Sequence, residues 1–155
     1  MDPTEWESLR EIRLKALADA PQAFGSTLAQ ELARPEAAWR ERAEPSAGGC
    51  TWTARTASGW VGLVGAFVTE GRVQLVSMWV APGWRRRGVA RALIAAVVAW
   101  FGESGQGELY LRVGADNLVA RRCYEAAGFR LVETPSTRPR GPGSETVEMT
   151  WSDLG

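Results

Sequence analysis

Apolar residues recur at two different spacings along this chain and separate a helical first part from a sheet-rich remainder. Within Thr4–Ala20 the apolar positions lie three or four residues apart, which predicts an amphipathic helix with Thr4 as its N-cap. A second helix is predicted from about Leu28, behind a loop whose Ser and Thr residues can cap it. It is interrupted near Pro35 and resumes through Trp39 to Arg42. The chain therefore opens with helices, and the first predicted strand begins only at Cys50.

From Cys50 onward, runs rich in Val, Thr, Phe and Trp are separated by short turns, which predicts strands joined in part as antiparallel hairpins. A long apolar helix and a shorter helix closed by Gly128 interrupt these strands. The predicted strands are Cys50–Thr56, Trp60–Thr69, Arg72–Val80, Glu108–Val113, Phe129–Glu133 and Thr146–Trp151, and the two helices are Arg87–Ser104 and Leu118–Ala127. This order predicts an α+β fold with a mixed sheet, in one domain over residues 1–155.

Composition excludes several classes of function. Lys+Arg and Asp+Glu number 18 each, and this zero net charge argues against nucleic acid as a partner. The chain has no histidine, so the commonest zinc ligand and the commonest general base are both absent, and we expect no metal site. The two cysteines give no disulfide framework, and no signal peptide or membrane-spanning run is evident. We therefore expect a cytoplasmic protein with no membrane partner.

The segment Val80–Leu93 is the sharpest candidate site. An apolar strand enters a Pro-Gly turn, three consecutive arginines and Gly88 follow, and a long helix then begins. The first amides of a helix have no partner inside the helix, and together with arginines they bind phosphate oxygens. A solvated basic patch at the start of a surface helix is the alternative. The order of these elements favours a site for a phosphorylated cofactor.

A second candidate motif pairs Asn117 with Tyr124, seven residues or about two helical turns later. Both side chains are therefore expected on one side of the predicted helix. One interpretation is that Asn117 is an N-cap and that Tyr124 is an aromatic residue of the core. The other is that the tyrosine hydroxyl points into a site, where it can donate a proton to a leaving thiolate.

Together these motifs resemble the GNAT superfamily of acetyl-CoA-dependent N-acetyltransferases. The family pattern Arg/Gln-x-x-Gly-x-Gly/Ala is matched by Arg85, Gly88 and Ala90, and its later element by Asn117 and Tyr124–Phe129. The N-terminal segment from Arg13 to Ser26 is also similar to members of the family. The resemblance implies a mixed, mostly antiparallel sheet flanked by helices, which splays between the strand ending at Val80 and the strand Glu108–Val113 around acetyl-CoA.

By this resemblance, a primary amine attacks the thioester of acetyl-CoA directly, and Tyr124 is the general acid for the coenzyme A thiolate. The residues implied in coenzyme binding are Met78, Trp79, Val80, Arg85, Arg86, Arg87, Gly88, Val89, Ala90, Arg91 and Asn117. The backbone N–H of Val80 is expected to stabilise the oxyanion. Phe24 and Gln74 are expected on the acceptor side.

The sequence departs from the family pattern in two places. Gln74 and Arg112 stand where many members carry a glutamate base, and neither can take up a proton at neutral pH. A water chain, Glu31 or Glu148 then serves as base, or the amine arrives unprotonated. The chain also starts almost directly on a helix, where the family usually opens with a β-strand.

The absent glutamate motivates an alternative function, a non-catalytic acyl-CoA-binding sensor or regulatory module with the same fold. The resemblance leaves the acceptor open between a small-molecule amine and a peptide amine. It is also compatible with a homodimer.

Overall fold

The computed structural model describes residues 5–20, 27–44, 48–57, 59–132 and 146–152. Its helices are α1 (Trp6–Asp19), α2 (Leu28–Leu32), α3 (Glu36–Ala43), α4 (Val89–Ser104) and α5 (Leu118–Ala126). Its strands are β1 (Gly49–Thr56), β2 (Gly59–Thr69), β3 (Arg72–Val80), β4 (Leu109–Gly114), β5 (Phe129–Leu131) and β6 (Thr146–Trp151). The predicted α+β fold is confirmed, and most element bounds lie within two residues of those predicted.

A side-chain cap explains the start of α2. Thr27 Oγ1 accepts a hydrogen bond from the Gln30 amide at 3.1 Å, and Gln30 Oε1 accepts one from the Thr27 amide at 3.0 Å. This capping box fixes the start of α2 where the sequence predicts it. The N-cap of α1 is Glu5 rather than the predicted Thr4, which lies outside the described residues.

The strands form one sheet in the order β1-β2-β3-β4-β6-β5. β1, β2 and β3 are joined antiparallel, as are β4, β6 and β5. The two halves meet where β3 and β4 run parallel. The sheet is therefore mixed and mostly antiparallel, as predicted.

Each face of the sheet carries its own core. The face under α4 and α5 buries side chains that include Val64, Leu75, Val97 and Leu111. The face under α1 and α3 buries Leu9, Trp39, Leu63 and Trp79 among others. Within the described ranges, no helix has both the length and the apolar character needed to cross a membrane.

A buried ion cluster joins the three N-terminal helices. The side chain of Glu31 in α2 is 0% exposed, and its carboxylate is paired with Arg13 of α1 at 2.8 Å, with Arg34 at 2.7 Å and with Arg42 of α3 at 3.1 Å. Burial alone raises the pKa of this carboxyl, but the hydrogen bonds from the three guanidiniums outweigh burial and lower the pKa to about 2. Because one carboxylate holds three helices, removing its charge loosens all of them at once.

The close approach of α4 to β2 depends on Gly62. A Cβ at this position would lie 3.1 Å from the Trp79 carbonyl oxygen, 3.1 Å from Val89 and 3.2 Å from Leu93. These contacts are tighter than ordinary van der Waals distances, and the carbonyl belongs to the backbone and moves little. Gly62 therefore sets the distance between the sheet and the first turns of α4.

We expect Gly62→Ala to destabilise the protein by about 1–3 kcal/mol, because the added methyl overpacks the contact between sheet and helix. Gly102→Ala is the matched control. Gly102 lies within α4 with open space around it, and Ala there should stabilise by about 0.5–1 kcal/mol through helix propensity. Chemical denaturation of the two variants measures both effects. A Gly62→Ala variant as stable as Gly102→Ala would contradict the packing argument.

We also expect Glu31 to contribute to the acid sensitivity of the fold. Its pKa is about 2 in the folded protein against 4.5 as the ordinary value, so its stabilisation is complete above about pH 4.5 and is lost as pH falls toward 2. This difference in pKa corresponds to a stabilisation on the order of 3 kcal/mol.

Glu31→Gln should lower stability at pH 7 and flatten the decline in stability between pH 5 and pH 3. The control Glu36→Gln, which breaks an exposed pair with Arg40, should cost at most about 0.5 kcal/mol. An unchanged acid slope in Glu31→Gln would contradict this assignment.

Candidate active site

β3 and β4 separate soon after they begin to pair. Their parallel register covers only Val73, Gln74 and Leu75, opposite Leu109, Tyr110 and Leu111. β3 then continues for five residues, from Val76 to Val80, with β2 as its neighbour on one side. The sheet thus opens between the carboxyl ends of β3 and β4, where the family resemblance implies the splay.

A bulge in β3 lies at this opening. Gly65 pairs with Val76 and Leu63 pairs with Trp79, so Ser77 and Met78 of β3 together face the single residue Val64 of β2. Ser77 has a positive φ of 58°, which is uncommon for a residue with a side chain. The extra residue shifts the alternation of side chains, so that Met78 packs toward α4 and Trp79 packs toward α1. The strand edge at the opening is therefore kinked rather than flat.

The arginine-rich loop connects this strand edge to α4. Arg86 and Gly88 both have positive φ, 64° and 85°, which turns the chain sharply into the helix. Gly88 is the N-cap of α4, and no side chain caps the first turn. The side chains of Arg85, Arg86 and Arg87 are exposed around it, with the Arg87 guanidinium 5.2 Å from the centre of the Trp84 ring. Uncapped helix amides below exposed guanidiniums are a suitable place for an anionic group.

Arg85 differs from its neighbours because it already has partners. Its Nη2 donates to Asp19 Oδ2 at 2.7 Å, and its Nε donates to the Val80 carbonyl at 3.0 Å. The same Asp19 oxygen accepts a hydrogen bond from Trp79 Nε1 at 2.9 Å. The Trp79 hydrogen bond is the main reason that the pKa of Asp19 lies below its usual value, and Arg85 adds to the effect. Arg85 therefore ties the loop to the end of α1, a contact that sequence alone does not indicate.

The backbone of Val80 faces the opening. The Ala81 amide donates to the Val61 carbonyl in β2 at 2.8 Å. Because amides alternate in direction along a strand, the amide of Val80 points away from β2. The contact between Arg85 and the Val80 carbonyl agrees with this direction. The Val80 N–H, which the resemblance implicates in oxyanion stabilisation, thus points toward the gap between β3 and β4.

Asn117 and Tyr124 lie on α5, which starts where β4 ends. Asn117 Oδ1 accepts a hydrogen bond from the Ala120 amide at 3.2 Å, so Asn117 is the N-cap of α5, as one of the two interpretations predicts. Tyr124 is 8% exposed and its ring stands edge-on to Phe129 with centroids 5.7 Å apart. The two candidate motifs therefore lie on either side of the opening. The arginine-rich motif follows Val80 at the end of β3, and the motif that begins at Asn117 follows the end of β4.

Hydrogen bonds and ion pairs connect polar side chains on β3, β4 and β6. Tyr110 donates from its hydroxyl to Gln74 Oε1 at 3.1 Å, and the Arg72 guanidinium lies 3.6 Å from the Tyr110 ring centre. Arg72 pairs with Glu148 at 3.1 Å and also with Glu108, and Arg112 pairs with Glu148 at 3.5 Å. Gln74, predicted on the acceptor side, is thus held by a buried tyrosine that sequence reasoning did not select.

The carboxylates considered as general bases are all in ion pairs. Glu31 has three arginine partners and a pKa of about 2, so it is a poor proton acceptor for catalysis. Glu148 is shared between two arginines. Among the described residues, no three His, Cys, Asp or Glu side chains are grouped to hold a metal ion. Phe24, the other acceptor-side prediction, lies outside the described residues.

The chain is similar to known acetyltransferases in sequence and in structure. It is 34% identical over 89 residues to human N-acetyltransferase 8, which is 54% of this chain and 39% of that protein. It is 36% identical over 61 residues to aminoglycoside N(6')-acetyltransferase type 1 of Salmonella typhimurium, which is 39% of this chain and 42% of that protein. The matched segments thus span about two fifths of the length of these curated relatives.

A solved GCN5-related N-acetyltransferase from Kribbella flavida superposes with a TM-score of 0.73 at 20% identity, over 97% of this chain and 93% of that chain. At that identity the likeness concerns the fold. The model of the acetyltransferase (GNAT) family matches residues 6–129, which include α1, the sheet opening, the arginine-rich loop and Tyr124. The chain belongs to the acetyltransferase (GNAT) family.

Proposed function

We propose that this protein is an N-acetyltransferase that moves an acetyl group from acetyl-CoA directly to a primary amine. The observation that carries the proposal is the continuous path from the open edge of β3 to the uncapped N-terminus of α4 under exposed arginines. An extended, amide-bearing chain that ends in a diphosphate matches that path in both shape and charge. Coenzyme A has this chemistry.

The residues present fit the pantetheine arm and the diphosphate of coenzyme A. The amides of the pantetheine arm pair with the segment Met78–Val80 of β3, where the Val80 amide points away from β2 into the opening while Trp79 is paired with Leu63 of β2. Gly88, Val89, Ala90 and Arg91 offer the first amides of α4 to the diphosphate, and Arg86 and Arg87 add charge. Arg85 reaches the diphosphate only if it exchanges its present partner Asp19. Asn117 caps α5 beside the opening, where its amide N–H₂ remains available as a donor.

The chemistry follows from these positions. The amine nitrogen attacks the thioester carbonyl carbon, and the carbonyl oxygen becomes an oxyanion that accepts a hydrogen bond from the Val80 amide. Collapse of this intermediate breaks the carbon–sulfur bond, Tyr124 protonates the leaving thiolate, and the tyrosinate regains its proton from water. The amine loses its own proton to water, since the described carboxylates near the opening are ion-paired. The products are an N-acetyl amide and coenzyme A.

Direct transfer needs no covalent enzyme intermediate. Cys123, the residue before Tyr124, is half-buried, and burial raises the pKa of its thiol. It therefore stays protonated at neutral pH and is a poor nucleophile. This supports a mechanism in which the amine itself attacks the thioester.

We expect Arg87→Glu to weaken acetyl-CoA binding by tenfold or more, because it replaces a guanidinium at the start of α4 with a carboxylate. The measurement is calorimetric titration of acetyl-CoA into the protein and the variant. Losing one charge-assisted hydrogen bond costs about 1.5–3 kcal/mol, which is about tenfold to a hundredfold in affinity.

Arg55→Glu is the matched control for this titration. Arg55 is exposed on the edge strand β1 and its guanidinium lies 5.1 Å from the Trp60 ring centre, much as Arg87 lies over Trp84. Both changes alter the net charge equally and remove an arginine from an indole ring. Equal affinities for the two variants, or no binding by the wild type, would reject the coenzyme site.

We expect Tyr124→Phe to lower kcat by more than tenfold and to leave the affinity for acetyl-CoA little changed, because only the proton donor is removed. Turnover is followed as release of coenzyme A with an amine found by screening. Tyr110→Phe is the control, since it removes the hydroxyl of a tyrosine that is equally buried, 7% against 8% exposed. It should alter KM for the acceptor rather than kcat, because its hydroxyl donates to Gln74. An unchanged kcat in Tyr124→Phe removes this residue from the acid role.

One observation favours the second candidate, an acyl-CoA-binding sensor without transferase activity. Glu31 and Glu148 are paired with arginines, and Gln74 and Arg112 occupy the positions where a base is expected. A sensor would bind acetyl-CoA and release no coenzyme A with any amine. Titration together with coenzyme A release therefore separates the two candidates.

A further inference from the structure

The side chain of Arg85 covers part of the open edge of β3. Its Nε donates to the Val80 carbonyl oxygen at 3.0 Å. This carbonyl points away from β2, because the next amide along the chain, that of Ala81, is bonded to β2. The N–H nitrogen of an added strand would lie about 3 Å from the same oxygen. Arg85 therefore occupies the place that an N–H of the pantetheine arm takes when the arm pairs with Val80.

Asp19, the last residue of α1, holds Arg85 in this place. Its Oδ2 accepts hydrogen bonds from Arg85 Nη2 at 2.7 Å and from Trp79 Nε1 at 2.9 Å. The Trp79 side chain is buried in the core under α1, so its hydrogen bond fixes the position of the carboxylate. One guanidinium thus joins the carboxylate at the end of α1 to the open edge of β3.

The ion pair between Arg85 and Asp19 is one that a stronger anion can break. The two side chains are 50% and 31% exposed, and ion pairs with this much exposure stabilise a fold only weakly. Arg85 lies three residues before Gly88, the N-cap of α4, where the diphosphate of the coenzyme is proposed to bind. A diphosphate carries more negative charge than one carboxylate and offers bidentate oxygens to a guanidinium. It is therefore the stronger partner for Arg85.

We propose that Asp19 and Arg85 make the protein selective for thioesters that carry a diphosphate. The inference rests on the proposed function and concerns specificity at the same site. A bound diphosphate draws Arg85 away from Asp19 and withdraws its Nε from the Val80 carbonyl, which then accepts a hydrogen bond from the pantetheine arm. A thioester without a diphosphate, such as S-acetylpantetheine, offers Arg85 no new partner and finds the edge of β3 covered.

Arg85→Ala tests the two roles of Arg85 because they predict changes of opposite sign. Acetyl-CoA should bind about tenfold more weakly, since it loses a phosphate partner. S-acetylpantetheine, which carries no charge, should bind about threefold or more tightly, since the Val80 carbonyl is uncovered. Calorimetric titration measures the first affinity and NMR titration the second. Arg55→Ala, a change at an exposed arginine of β1, is the control and should alter neither. If Arg85→Ala binds S-acetylpantetheine no better than the wild type does, the inference is overturned.

Asp19→Asn tests whether the carboxylate holds Arg85 back. The amide oxygen of Asn can still accept the Trp79 hydrogen bond, but the negative charge that binds Arg85 is removed. Acetyl-CoA should bind about two- to fivefold more tightly, and this gain should disappear when residue 85 is already Ala. Glu11→Gln makes the same change in net charge on the exposed face of α1 and is the control. An equal gain in Glu11→Gln, or a gain that persists in the double variant, contradicts the competition for Arg85.

The inference and the proposed function fail in different ways. If the wild type does not bind acetyl-CoA, the coenzyme site is rejected and the inference is rejected with it. If the wild type binds acetyl-CoA and the variants at Asp19 and Arg85 bind both thioesters as the wild type does, the proposed function stands and the selectivity assigned to this pair is wrong.

Discussion

The early separation of β3 from β4 is the constraint on which the rest of this structure depends. A parallel pair of strands normally continues its ladder, but here the ladder stops after three residues and the bulge at Ser77 turns the β3 edge. Backbone groups at an open strand edge need partners. Both the arginine-rich loop and α5 begin at this edge, so the elements with candidate chemistry converge there without long insertions.

Ion pairs between acidic side chains and arginines are the second feature on which the structure depends. Most acids near the opening are bound to arginines, and the strongest case is Glu31, whose buried carboxylate is stabilised only because three guanidiniums offset the cost of burial. With Lys15 as its one lysine, the chain relies on guanidiniums for these networks. Arginine's fixed fork of donors lets one residue hold two acceptors, as Arg13 does between Glu31 and Ser77.

Local patterns were enough to predict the elements but not their long-range pairings. Alternating apolar residues located β3 as Arg72–Val80, and helical spacing located α1, because both signals depend on neighbours a few residues apart. From the sequence, Glu31 was only one candidate for the general base, and its burial depends on arginines 18 residues before it and 11 after it. The one available signal for the bulge was the run Leu75-Val76-Ser77-Met78, where strict alternation of apolar and polar residues breaks down.

The candidate site shows the same difference between what local patterns predict and what long-range contacts determine. The arginines, Gly88 and Tyr124 were recognised from motifs whose residues are close in sequence. The contacts of Arg85 with Asp19 and of Tyr110 with Gln74 join residues 66 and 36 positions apart. Such pairs carry no local pattern, so the acceptor side was less predictable than the coenzyme side.

Two hydrogen bonds join α1 to β3: Arg13 donates to Ser77 Oγ, and Trp79 Nε1 donates to Asp19. The two contacts lie six residues, or nearly two helical turns, apart on α1, so together they oppose rotation of the helix on the strand. A displacement of α1 therefore either carries the edge of β3 with it or breaks these hydrogen bonds. In the proposed acetyltransferase, a bulky amine that pushed α1 outward would therefore also strain the strand edge on which we propose that the thioester lies.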